Sequence, residues 1–411
     1  MGWMLWSKLR KLHLLTPGGL YHVCQCFWHE GITLMALLRF AAHYYPQRTA
    51  LVADGECLNY QELYRRCLGL AHRLHSGEGL RKGMCVGLQC RSQLTTALLL
   101  PALSRLGVKV KLISADITED KLSELAAQGH VDRIMEESSA LLNPPLWGEG
   151  GMERQVSHPL GRRSGGGLPR IWRGGDLTVF TGGSSGKRKE ASRRMSATQF
   201  LPPLFALLEE LRIDERESVF IPLPLHHGFG LATLIVALLM GKKVCLMSRF
   251  DTEEALRLIA EERIEVLSLV PAMLARLWQT DGAPEAMRSV RVIISGGDRL
   301  DRKWIDTTNK HLGSVLYNLY GTSEAGFFMI ARPEALLRYE EVTIGRPIRG
   351  VECKVEAVGA DGTGTLWVRS AWAMAGLKNK WQSTGDLVHR NAEGYYRSEE
   401  RRVGKECRSR W

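Results

Sequence analysis

The stretch DLTVFTGGSSGKRKEASRR, Asp176–Arg194, joins a strand-like run to a loop of glycines, hydroxyls and cations. Leu177, Val179 and Phe180 suit a buried strand. Beyond them, Gly183 and Gly186 let the backbone approach a ligand closely. Thr181, Ser184 and Ser185 offer hydroxyl donors, and Lys189 offers a mobile positive charge. A glycine-rich turn between a buried strand and a helix can aim several N–H groups at one anion. Together these residues suit a polyphosphate. A Walker loop fails at two positions: Thr181 stands where its first glycine belongs, and Arg188 follows Lys187 where Ser or Thr is needed. On this stretch alone a plain Gly/Ser-rich surface loop stays open as the alternative.

On both sides of the loop, strand-like and helix-like runs alternate. SVFIPLP, KKVCLM, IEVLSLV, VRVIIS and SVLYNLY predict strands. ALLEELR, GLATLIVALLM, DTEEALRLIAEER and LDRKWIDTTNKHLG predict the helices between them. Asp251 with Glu254 predicts a capping box on the third. Upstream, MCVGLQC and VKVKLIS predict strands, and LNYQELYRRCLGLAHRL and SQLTTALLLPALSRLG predict helices. Residues 143–170, rich in Pro and Gly, predict a long surface loop between two α/β portions. Such alternation predicts an α/β fold of doubly wound parallel sheets, built as two α/β subdomains. From about 340 to 396, VECKVEAV, GTLWVRS and GYYR with glycine turns predict a smaller β-rich subdomain.

The 411 residues allow more than one domain, and 45% apolar with 24% charged residues is ordinary for a soluble globular chain. The net charge of +11 comes from scattered cations with no nucleic-acid-reading motif, so an anionic substrate is expected rather than nucleic acid. Nine cysteines without CxxC pairing, and no secretory signal, lead us to expect a reduced, cytoplasmic setting. His22, Cys24, Cys26 and His29 in HVCQCFWH are soft ligands, but Cys-x-Cys is not zinc-knuckle spacing, and no metal is expected there. Residues 1–30 form an N-terminal extension. Trp6 breaks the myristoylation pattern, and the apolar runs are too short to span a bilayer. A helix packed on the body is expected, with peripheral membrane contact through residues 1–30 as the alternative.

Four further motifs follow the loop in order: PLHHGFG (Pro224–Gly230), SGGDRL (Ser295–Leu300), YGTSEAG (Tyr320–Gly326) and STGDLVHRNAEGYY (Ser383–Tyr396). With these five in sequence, residues 31–396 resemble the large N-terminal domain of the adenylate-forming superfamily, the AMP-binding enzymes that include acyl-CoA synthetases. The resemblance implies that Thr181, Gly183, Ser184, Ser185, Gly186 and Lys189 hold the β- and γ-phosphates of ATP. Gly182, Arg188 and Glu190 depart from the family's loop and would weaken that grip. Losing one hydrogen bond costs about 0.5–1.5 kcal/mol, and losing a loop proline about 0.4–1 kcal/mol. The resemblance also implies adenine stacking on Tyr320 within Tyr320–Gly321, phosphate contact by Ser323, Mg²⁺ ligation by Glu324 and ribose recognition by Asp386. Gly296 and Gly297 would line the adenine and acyl pockets. His227 would lie beside the carboxylate substrate, His226 would be its packed or exposed neighbour, and Val270–Pro271 would start a pocket-wall helix.

The implied reaction is attack by a carboxylate on the α-phosphate of MgATP, with pyrophosphate leaving and an acyl-adenylate remaining. A thiol, coenzyme A, then takes the acyl group. A fatty acid is the expected substrate. Two alternatives are an acyl-AMP ligase that loads a carrier-protein thiol and a degenerate nucleotide-binding module without catalysis. The family continues with a G-R-x-x-D hinge and a small domain bearing a catalytic lysine. Here Arg397–Trp411, RSEERRVGKECRSRW, reads instead as translated sequencing-adapter DNA. The chain is therefore expected to be a C-terminally truncated fragment that binds ATP weakly and catalyses poorly.

Overall fold

Chain order runs helix α1 (Pro17–Glu30), α2 (Leu34–Tyr44), strands β1 (Thr49–Ala53) and β2 (Glu56–Asn59), then α3 (Tyr60–Ser76). Next come β3 (Cys85–Gln89), α4 (Gln93–Leu106), β4 (Lys109–Leu112), β5 (Arg133–Glu136), β6 (Asp176–Thr181) and β7 (Lys189–Arg194). Then follow β8 (Ser218–Ile221), α5 (Gly228–Leu239), β9 (Lys243–Leu246), α6 (Thr252–Glu261), β10 (Val266–Leu269), α7 (Pro271–Trp278) and α8 (Ala283–Ala286). After these lie β11 (Val292–Gly296), α9 (Arg302–Leu312), β12 (Leu316–Thr322), β13 (Gly326–Ala331) and α10 (Pro333–Arg338). The described chain ends with β14 (Thr343–Pro347), β15 (Val351–Glu356), β16 (Thr363–Ser370), β17 (Gln382–Arg390) and β18 (Tyr396–Ser398). This computed structural model describes residues 10, 16–115, 117, 131–136, 168–181, 189–194, 208–322, 325–371, 373 and 377–399.

Two sheets organise these elements. One has five strands in the order β5-β3-β4-β6-β7. The other has thirteen, in the order β15-β16-β17-β18-β14-β13-β12-β11-β10-β8-β9-β1-β2. Its central ladder, from β12 through β11, β10, β8 and β9 to β1, is parallel. This is the doubly wound α/β arrangement expected, and the strands from β13 to β18 are antiparallel. β18 runs across the boundary that the sequence reading draws at Tyr396.

Strand membership differs from the sequence reading in two ways. β1, besides its hairpin partner β2, pairs with the distant β9, Leu51 opposite Val244. β6, beyond the Pro/Gly-rich stretch, returns to β4, Val110 opposite Leu177. The chain therefore changes sheets between β2 and β3 and again between β7 and β8, not at residues 143–170. Pairing partners far apart in sequence override the local punctuation.

The layers follow from burial. Helix α4 packs on β4, α3 on β1, and α5 on β8 and β9. All fourteen residues of α4 are buried, Pro101 included. One apolar core runs through both sheets, from Val86, Leu112 and Leu177 to Leu51, Phe220 and Leu267. A second core, with Phe328, Leu366, Val388 and Tyr396, holds the antiparallel portion.

Local sequence explains the helix ends. Asn59 and Glu62 form a reciprocal capping box on α3. At α6, Asp251 accepts from the Glu254 N–H at 3.0 Å, but the Glu254 carboxylate turns to Arg257, so the expected box is only half made. On α1, Cys24 is exposed and Cys26 buried, so the Cys-x-Cys pair points to different sides. Burial pushes the Cys26 thiol up to about 11.

The end of α1 is fixed by charge. Glu30 is buried and accepts from Arg39 at 2.9 Å, Tyr64 at 2.7 Å and Arg105 at 2.7 Å. Arg105 also donates to the carbonyl of Pro169 at 3.0 Å. Just beyond, the Ile32 N–H donates to the Trp172 carbonyl at 3.0 Å, and the Gly174 N–H donates back to Ile32 at 3.1 Å. A Cβ on Gly31 would lie 2.3 Å from the Ile171 carbonyl oxygen, so only glycine fits. The segment entering β6 is thus strapped to α1 and α4.

Candidate active site

The parallel ladder has a switch point. From β8 the chain moves to β9 on one side, then crosses to β10 on the other. The connections leaving the carboxyl ends of β8 and β10 therefore diverge, which opens a crevice there. His227 follows β8, Val270 follows β10, Gly296 ends β11, and Tyr320–Gly321 lie near the end of β12. Four sequence-separated motifs reach one edge of the sheet.

Close approach ties them together. A Cβ on Gly296 would sit 2.7 Å from the Leu319 carbonyl oxygen and 3.5 Å from the Phe229 ring. Gly297 has φ +87°, with Val270 3.6 Å from its would-be Cβ. A Cβ on Gly321 would meet the Gly326 carbonyl oxygen at 2.4 Å, so the β12–β13 hairpin closes only over glycine. Val270 caps α7, with Pro271 in its first turn.

Asp386 arrives from the antiparallel portion through a bulge. Thr365 pairs with Leu387 and Trp367 with Ser383, so Leu366 on β16 faces three residues, Thr384–Asp386, on β17. Thr384 donates its hydroxyl to the Leu366 carbonyl at 3.1 Å and accepts from the Asp386 N–H at 3.1 Å. Bulges of this kind re-aim side chains. Here the Tyr320 hydroxyl donates to the Asp386 carboxylate across 66 residues of sequence. The Tyr320 ring also meets Phe328 edge-on at 5.3 Å.

Gly385 makes the bulge with φ +76° and open space where a Cβ would be. Gly385→Ala should therefore cost only the left-handed conformation, about 1–2 kcal/mol. Thermal melts of the two proteins check this; an unchanged midpoint would show that the bulge does not need glycine.

His227 is the N-cap residue of α5, although its side chain is not used as a cap. Its ring stands 4.3 Å from that of His226. Burial pushes His226 down to about 4, helped by the neighbouring His227. His227 is exposed as a residue, yet the protein packed around its imidazole lowers its pKa too. Both imidazoles are therefore neutral at pH 7. The sequence reading missed Gln93, which is buried, donates from its N–H to Ser248 at 3.0 Å and accepts from the Leu225 N–H at 3.0 Å. It anchors the connection leading to His227, and nothing in its local sequence marks it.

A depressed histidine destabilises the fold once it must take a proton. The unfolded chain protonates near 6.5 and the folded His226 near 4, so stability is full above 6.5 and falls as pH drops toward 4. His226→Gln should remove about 2 kcal/mol of that loss, after discounting for partial exposure. Melts from pH 7 to 4.5 check it; parallel curves would mean that His226 does not titrate in this range.

The surroundings of the Gly/Ser-rich loop differ from expectation. β6 and β7 form an antiparallel hairpin with Thr181 opposite Lys189, so the loop joins strand to strand rather than strand to helix. Glu190 lies in β7 opposite Phe180, after the loop and not within it. Gly183, Ser184, Ser185 and Gly186 lie outside the described residues, as do Ser323 and Glu324.

The AMP-binding enzyme family model matches residues 38–160 and 173–377. A 2-succinylbenzoate–CoA ligase of Staphylococcus aureus (strain JH9) is 28% identical over 235 residues, 54% of this chain and 46% of that protein. The chain thus spans about half the length of such curated relatives. One of Bacillus pumilus is 24% identical over 381 residues, 86% of this chain and 75% of that protein. Among solved structures, o-succinylbenzoate coenzyme A synthetase from Bacillus subtilis, in complex with ATP and magnesium, has a TM-score of 0.74 at 21% identity, covering 89% of this chain and 79% of its own. The N-terminal domain of FACL13 from Mycobacterium tuberculosis has a TM-score of 0.73 at 19% identity, covering 90% of this chain and 99% of its own. The convergence of Tyr320, Asp386, His227 and the Gly296–Gly297 turn at one sheet edge thus occurs in a chain that belongs to the AMP-binding enzyme family.

Proposed function

We propose that this chain is the nucleotide-binding body of an AMP-forming acid–thiol ligase. It would join a carboxylic acid to AMP and pass the acyl group to coenzyme A. The observation that carries this reading is the meeting of Tyr320 and Asp386 beside the switch-point crevice. An aromatic face and a carboxylate at that spacing suit a nucleoside: one stacks the base, the other accepts from a vicinal diol.

ATP is a substrate here. Asp386 holds the ribose, and the Tyr320 hydroxyl fixes the Asp386 rotamer. His227 is neutral and can donate one hydrogen bond to an acid carboxylate without becoming a competing charge. The N-terminus of α5 adds a favourable field for that anion. Positioning both reactants is the main task of the protein. Mg²⁺, when bound, supplies charge neutralisation at the phosphates; Glu324 and Ser323 are the proposed contacts, with Thr181, Gly183, Ser184, Ser185, Gly186 and Lys189 around the leaving pyrophosphate.

The names of the relatives support an aryl acid of the 2-succinylbenzoate type. A fatty acid, expected from sequence, has only fold-level support and enters the test as a competitor. The test is carboxylate-dependent pyrophosphate release, with mass spectrometry of the adenylate, over 2-succinylbenzoate, benzoate and octanoate. Coenzyme A and a carrier-protein thiol are compared as acceptors. Calorimetric titration with acyl-sulfamoyl-adenosine measures binding apart from turnover. Orthophosphate release without any acid would overturn the reading. Nucleotide binding with no adenylate would leave the non-catalytic module in its place.

A further inference from the structure

Helix α1 is apolar on two sides. Its inner side sets Cys26, Val23 and Phe27 against Ala36 and Phe40 of α2. Its outer side leaves Leu20 50%, Tyr21 65% and Trp28 56% exposed. Pro17, Tyr21, Cys24 and Trp28 are spaced four, three and four residues apart, which places them on one helix face. Trp172, 67% exposed, extends this face from the strap before β6, edge-on to Trp28 at 6.3 Å. Of the seven large apolar side chains exposed among the described residues, four lie in this patch. Such clustering marks an interaction surface.

Charge identifies the partner. Residues 1–29 contain no Asp or Glu, while Lys8, Arg10 and Lys11 precede the helix. Glu30, the first acid, is buried against Arg39 and Arg105. Arg170 and Arg173 are exposed on the strap, and Arg170 lies 4.5 Å over the Trp28 ring. We propose that this face docks on an anionic lipid surface. Tyr and Trp bodies enter the acyl boundary, and the arginines meet the headgroups, as in interfacial helices. A second copy of this chain fits less well, because a two-fold contact would bring Arg170 and Arg173 of both copies together. The surface is separate from the crevice and does not depend on the proposed reaction.

The test is flotation of the full chain with vesicles of phosphatidylcholine alone, or of phosphatidylcholine with about one third phosphatidylglycerol. Binding to the anionic vesicles is expected, weakening as salt rises to about 0.15 M. Each arginine held at the surface should strengthen binding about fivefold, so Arg170→Glu with Arg173→Glu should weaken it about twentyfold or more. Trp28→Ser with Trp172→Ser should abolish flotation and lower the melting midpoint only slightly, since both residues are more than half exposed. Failure of the wild type to float with anionic vesicles would overturn the proposal, as would equal flotation of the tryptophan variant. A large drop in the variant's melting midpoint would mean that the patch is covered by its own chain. A dimer that the variant converts to monomer would assign the face to a second copy. Either outcome would overturn it too.

Discussion

Glu30→Ala should lower stability by about 3–5 kcal/mol, read as a shift of the urea midpoint. The substitution leaves the Arg105 guanidinium, which is also buried, without its carboxylate. Arg39 and Tyr64 lose the same acceptor. Burial alone would raise the pKa of Glu30, but the Tyr64 hydrogen bond and the charges of Arg105 and Arg39 outweigh it and hold the carboxyl below its usual value. Its contribution is therefore complete above the unfolded carboxylate pKa and fades as pH falls through the lowered folded value. Replacing Glu30 and Arg105 together by Leu and Met should cost much less than Glu30→Ala, because the penalty lies in the uncompensated charge. A double variant as unstable as the single one would refute this account. The strap entering β6 hangs on the same cluster, so the single variant should also loosen the β6–β7 hairpin.

With the ribose on Asp386 as proposed, Asp386→Ala should reduce adenylation, as kcat/KM for ATP, about a hundredfold or more. Charge-assisted hydrogen bonds contribute about 1.5–3 kcal/mol each, and a ribose offers two hydroxyls. The informative control is 2′-deoxy-ATP. The wild type should prefer ATP, whereas the variant should use the two nucleotides alike. A variant that still discriminates between them would place the ribose elsewhere. Tyr320→Phe keeps the stacking face and removes the hydrogen bond to Asp386. It should cost about tenfold, mostly in KM for ATP.

Legibility in sequence followed the range of the forces involved. The strands β8 to β12 were readable as short apolar runs, and α6 and α9 carry an apolar period with Asp251 and Asp301 as their N-caps. β17 was not, because Thr384, Gly385 and Asp386 interrupt the alternation that marks a strand; the bulge that builds the site also hides the element. The hairpin after β6 was missed because a glycine-rich turn leads equally well to helix or strand, and KEASRR in β7 has no apolar alternation. The family motifs named Tyr320 and Asp386 separately. Their meeting depends on β14, which pairs with β13 on one side and β18 on the other, and no local pattern records that. Gln93 and the Glu30–Arg105 pair, 75 residues apart, were invisible for the same reason.

The pairing of β1 with β9 has a consequence for synthesis. The Tyr60 hydroxyl donates to the Lys242 carbonyl at 2.7 Å, across 182 residues of chain. A ribosome adding about 5–20 residues per second makes the partner roughly 10–40 s after the first strand emerges. During that interval the β1 edge that later pairs with β9 is bare, and Ala50, Leu51 and Leu58, all buried in the finished fold, have no sheet to join. Such an edge is a template for wrong pairing. The nascent chain is then most exposed to aggregation before residue 243 is made, and a fragment ended at the Pro/Gly-rich stretch would keep that hazard permanently.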